Sequence, residues 1–92
     1  MIVRISGEDQ YRLDDGERPR LDELENRVVA IVESGGEDGF RDAVETLLQY
    51  VRDHGERVAE DDIEASDLIL PPPDVTFTEA TREFTGEGLI PD

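Results

Sequence analysis

The sequence contains no cysteine, no lysine and no long apolar run. Without cysteine there are no disulfides, no thiolate nucleophile and no thiolate metal site. No stretch approaches the roughly 18 apolar residues of a membrane-spanning helix, and no basic-then-apolar leader precedes Ile2-Val3-Arg4-Ile5. The expected location is therefore cytoplasmic, with no direct membrane insertion and any membrane association coming through a partner. Without lysine, nine arginines stand alone against 25 acids, for a net charge of −16 and a pI near 4.1. Such a surface suits a cytoplasm of molar salt, where the Debye length falls to about 3 Å and carboxylate repulsion is largely screened. It also repels phosphate backbones and anionic lipid, which argues against nucleic-acid binding.

What is present is periodic. Residues 2–6 are rich in β-branched isoleucine and valine, Ser6-Gly7-Glu8-Asp9 reads as a turn, and Gln10-Tyr11-Arg12-Leu13 alternates, so 1–15 is predicted to form a β-hairpin. Pro19 suits a first helical turn. Leu21, Leu24, Val28, Ile31 and Val32 lie on one helical face, with Glu23 and Arg27 as an i,i+4 pair, and Ser34-Gly35-Gly36 ends the helix. Asp38 is the expected N-cap of a second helix carrying Phe40, Val44, Leu47, Leu48 and Val51, stopped by Gly55. So short a link makes 19–55 an antiparallel helical hairpin.

Residues 56–75 read as an acidic, proline-rich segment. Six acids fall between Glu56 and Asp67, followed by the brief apolar run Leu68-Ile69-Leu70 and the extended Pro71-Pro72-Pro73. Thr76 and Glu79 form a capping box opening a helix over about 77–85, and 76–92 completes the chain as helix and apolar tail. The fold class is α+β: one small domain over 1–92, an N-terminal β-hairpin packed on an antiparallel helical hairpin with a short C-terminal helix.

No constellation for chemistry emerges. His54 has no second imidazole or thiol to share a metal and sits where a cation complements a helix C-terminus. Glu60, Asp61, Asp62, Glu64 and Asp67 miss the spacing of a calcium loop, lacking its central glycine and terminal glutamate. There is no nucleophile elbow and no phosphate loop. The expectation is no catalytic residue, no metal and no cofactor. Leu68-Ile69-Leu70 and Leu89-Ile90 lie outside the helical pattern; they either fold back onto the core or form an exposed partner-binding patch. Tyr11 is similarly open, since its ring can be buried with the hydroxyl wet.

Along its whole length the chain resembles the family of small proteins associated with phage-shock protein A (PspA). The resemblance lies in Met1-Ile2-Val3-Arg4-Ile5, in Gly7-Glu8 followed by Gln10-Tyr11-Arg12, and in the paired amphipathic helices. It continues through Ser66-Asp67-Leu68-Ile69-Leu70-Pro71-Pro72, the Thr76–Glu79 helix start and Gly88-Leu89-Ile90-Pro91. Arginine as the only strong base is similar to the haloarchaeal branch. Arg18-Pro19-Arg20 and the turn at 35–39 are not among these motifs. The resemblance implies a non-enzymatic accessory of the envelope-stress response, binding a PspA-like coiled-coil protein of the ESCRT-III-like group. Tyr11, Leu68, Ile69, Leu70 and Leu89 are the expected interface. The rival from another class is an acidic module that mimics nucleic acid toward a basic protein.

Overall fold

The computed structural model describes residues 1–62 and 65–83. Strand β1 (Ile2–Ile5) reverses through a turn with Gly7 at φ 78°, where a side chain would be strained, and pairs antiparallel with β2 (Gln10–Arg12). A 3-10 turn at Asp15–Glu17 leads into helix α1 (Arg18–Ser34), with Pro19 in the first turn, where its missing N–H costs nothing. Gly35 closes α1 in the left-handed conformation, as predicted, and donates its N–H to the Val32 carbonyl.

Helix α2 (Phe40–His54) returns antiparallel and completes the predicted helical hairpin. Its N-cap is Gly39 (φ 81°), not Asp38, and no side chain caps it. The link needs a left-handed residue there, and the Phe40 N–H is satisfied by the Glu37 carbonyl at 3.1 Å instead. Glu23 pairs with Arg20 at 3.1 Å, in place of the expected Arg27, and Arg18 pairs with Asp22 at 3.5 Å. All four side chains are about half exposed or more, so each pair contributes little.

Beyond the hairpin the chain does more than link. Glu56–Arg57 forms strand β3 against β2, and Leu68–Leu70 forms β4, parallel to β1. The result is a four-stranded mixed sheet in the order β3-β2-β1-β4. Strand β3 comes from the acidic run Glu56 to Asp67, which reads in the sequence as a solvated linker or edge segment, and β4 is the apolar run that follows it. On the sheet face opposite the helices, Gln10 Nε2 donates to Ser66 Oγ at 2.9 Å. Gln10 and Val58 are buried there. The opposite face, with Val3, Ile5 and Leu70, packs on Leu21, Leu24 and Val28 of α1 and Val44, Leu47, Leu48 and Val51 of α2. Helix α3 (Phe77–Glu83) closes the described fold. Its capping box is reciprocal: Thr76 N–H donates to Glu79 Oε1 and Glu79 N–H to Thr76 Oγ1, both at 3.1 Å. Arg41 fixes the approach to α3 by donating to the carbonyls of Pro73 and Val75, and Phe77 meets Phe40 edge-on at 5.5 Å.

Gly55 ends α2 as expected but for a spatial reason. Its φ is −93°, open to any residue. A Cβ there would lie 2.6 Å from the Val51 carbonyl oxygen, 2.9 Å from Tyr11 Cβ and 3.0 Å from Leu13 Cδ1. Gly55→Ala is expected to cost about 1–3 kcal/mol through overpacking where α2 meets β2. Denaturant unfolding at constant salt measures it, and a loss below about 0.5 kcal/mol would show that the helix end yields freely.

Candidate functional site

Several polar groups that invite chemistry make structural contacts among the described residues. His54 places Nδ1 3.0 Å from the Tyr50 carbonyl of its own helix, and its ring stacks on Tyr50 with centroids 4.1 Å apart. The Tyr50 hydroxyl donates to Glu17; this hydrogen bond to a carboxylate raises the phenol above its ordinary pKa. Arg52 donates to both oxygens of Glu8, at 2.5 and 3.3 Å, tying α2 to the β1–β2 turn. That hydrogen bond holds the guanidinium above its ordinary value, against the opposing effect of burial. Within the acidic run, Asp67 accepts the Ile2 N–H at 2.8 Å and so joins the start of β1 to that of β4. Among the described residues no cluster of histidines and carboxylates could hold a metal ion. Among them, too, no helix is long and apolar enough to cross a membrane.

Glu25 is an exception that the helical pattern does not reveal. It lies on α1 between Leu24 and Val28 with only 9% of its surface exposed, and makes no hydrogen bond among the described residues. Burial pushes its carboxyl up to about 7, with Asp22 adding to the shift and Arg18 opposing it.

The expected interface residues do not gather into one surface. Leu70 is fully buried and belongs to the core. Leu68 is half-buried and shares its sheet face with Val3 and Ile5, whereas Ile69, also half-buried, lies on the opposite face with Arg4. Tyr11 is half-buried in the row Tyr11–Val3–Leu68, two strands from Leu68. Leu89 lies outside the described residues.

What these placements do create is an edge. Strand β4 ends the sheet, with no further strand beside it among the described residues. The Ser6 N–H donates to the Leu70 carbonyl at 3.0 Å, so the backbone of Leu70 faces β1. Hydrogen bonding alternates along a strand, and the N–H and C=O of Ile69 therefore point outward from the sheet. Pro71, with no N–H to offer, stops the edge immediately afterwards. A three-residue apolar run closed by prolines is the sequence signal for such a protected edge.

The candidate site is thus a short sheet edge with half-buried Leu68 and Ile69. A family model described as PspA-associated protein matches residues 1–92, the whole chain. No curated protein and no solved structure matches. The chain belongs to the PspA-associated protein family.

Proposed function

We propose that this protein is a non-enzymatic accessory that binds PspA, taken as a coiled-coil protein of the ESCRT-III-like group, within the membrane-stress response. The observation that supports this most is the family match over all 92 residues. Tyr50 and Asp67 add to it, because each ties one element of the fold to another, Tyr50 through Glu17 and Asp67 through the Ile2 N–H. Contact runs through the β4 side of the sheet, with Leu68 and Ile69 as apolar anchors. Any presence at the inner face of the membrane then comes through PspA.

Capture of a PspA homologue by the tagged protein, across a series of salt concentrations, tests the reading. Apolar contact is kept or strengthened at molar salt, whereas an acidic nucleic-acid mimic would lose its partner steeply. Ile69→Asp places a charge on the half-buried anchor and is expected to reduce capture by at least about tenfold, the equivalent of 1.4 kcal/mol. Circular dichroism should show unchanged helix content. Failure of the wild-type protein to capture any PspA homologue at any salt would overturn the proposal. Unchanged capture by Ile69→Asp would remove β4 from it.

A further inference from the structure

Arg4 is out of keeping with the rest of the molecule. In a chain with nearly three acids for each arginine, its guanidinium has neither an ion pair nor a hydrogen bond among the described residues. Arg18, Arg20, Arg52 and Arg57 each meet a carboxylate, and Arg41 binds two carbonyls. Arg27 also lacks a described partner, but it stands exposed on α1 with water around it. Arg4 is half-buried on the face of the sheet away from the helices, directly beside Ile69 in the parallel register. An arginine partly removed from water without a carboxylate is an unfilled interaction.

The two unfilled features adjoin. Ile69 offers an outward N–H and C=O at the sheet edge, and Arg4 offers a cation one strand inward on the same face as the Ile69 side chain. A helix cannot satisfy the first, because its backbone groups are already bonded internally. An extended segment can, by exchanging two hydrogen bonds with Ile69 as an added strand. The residue of that segment opposite Ile69 would project onto the face that carries Arg4. It would lie two strand spacings from Arg4, about 10 Å at the backbone, a gap that two long side chains close across Ile69. Charge complementarity identifies it as acidic, with glutamate having the better reach.

We propose that the partner docks on β4 as an extended strand, outside its own helices, and delivers a carboxylate to Arg4. This rests on the reading that the chain binds PspA and adds how it is gripped. Pro71 limits the pairing to a single register centred on Ile69, so the contact is short and its specificity depends on the Arg4 ion pair.

The test uses the full chain with a purified PspA homologue at molar salt. Arg4→Gln should weaken binding by about tenfold, the cost of losing a charge-assisted hydrogen bond in a partly dry site, and Arg4→Lys should recover part of it. Ile69→Pro removes the outward N–H at an edge position where proline is tolerated, and Ile69→Ala serves as the control for the side chain lost with it; the proline variant should bind about tenfold more weakly than the alanine variant. The decisive readout is hydrogen exchange at the Ile69 amide, which should be fast in the free protein and become protected in the complex. Suppose Ile69→Asp abolishes capture while Arg4→Gln binds within twofold of wild type and Ile69→Pro within twofold of Ile69→Ala. The accessory reading then stands and strand addition is overturned. An Ile69 amide that exchanges equally fast in the complex overturns it as well. If the wild-type protein is not captured at all, both fall together.

Discussion

Leu70→Ala is expected to destabilise the fold by about 2–5 kcal/mol, whereas Ile69→Ala one position earlier should cost about 1 kcal/mol. Leu70 is fully buried, sits beside Ile5 in the parallel register, and packs into the core shared by the sheet and both long helices. Its truncation leaves a cavity at the junction of β4, α1 and α2 that a three-residue strand cannot collapse to fill. Ile69 is half-buried on the opposite face and loses mainly transferable surface. Domains of this size are stable by only about 5–15 kcal/mol, so the larger loss would unfold a sizeable fraction at moderate denaturant. Urea midpoints for the two variants at one fixed KCl concentration decide the matter. Equal losses at the two positions would show that β4 does not bury one face as described.

The neighbouring residues show why part of this fold was legible from sequence and part was not. Leu21, Leu24 and Val28 on one helix, and Val44, Leu47, Leu48 and Val51 on the next, repeat at a period that leaves only one face to bury. Hence the helical hairpin follows from local spacing. The Thr76–Glu79 box is equally local: four residues carry the whole signal and their hydrogen bonds are the ones expected. The sheet beyond its first hairpin is another matter. Strand β4 pairs with β1 across 65 residues of chain, Val3 beside Leu68, and nothing within Leu68-Ile69-Leu70 names a partner so distant. Strand β3 is two charged, exposed residues, Glu56 and Arg57, with no periodicity to read. The charge of the acidic run around them is compatible with a solvated linker or an edge segment alike, and the residues that tie it down, Val58 and Ser66, are inconspicuous in the sequence.

The candidate site divides along the same line. That Leu68-Ile69-Leu70 is distinctive was visible in its composition. Which of the three faces the core depends on the alternation imposed by pairing with β1, and a shift of one residue would exchange Leu70 for Ile69. Arg4 was visible only as part of a strand. Its lack of a partner among the described residues is a property of the assembled sheet, since nine arginines among 25 acids would lead one to expect a carboxylate for each.

Glu25 supplies the second large effect. Its carboxyl is raised from 4.5 to about 7 by burial, so the folded chain holds that proton more tightly than the unfolded chain does. The stability linked to this group is therefore fully present below pH 4.5. It declines as the pH rises and is lost once the folded pKa near 7 has been passed. A shift of this size corresponds to about 3 kcal/mol, borne at high pH as a buried carboxylate with no hydrogen bond among the described residues. Glu25→Gln keeps the shape and removes the charge. It is expected to stabilise the protein by about 1–3 kcal/mol at pH 8, where the wild-type side chain must be ionised, and to change little at pH 4, where glutamic acid and glutamine are nearly equivalent. The difference between variant and wild type at each pH, from urea unfolding at constant molar KCl, isolates this group from the other 24 acids, whose titration is common to both chains. Asp22→Asn removes the second cause of the shift and should move the window to lower pH without closing it. A Glu25→Gln difference that is the same at pH 4 and pH 8 would show that the carboxylate is hydrated in the folded state, and that the side of α1 carrying Glu25 is open to water.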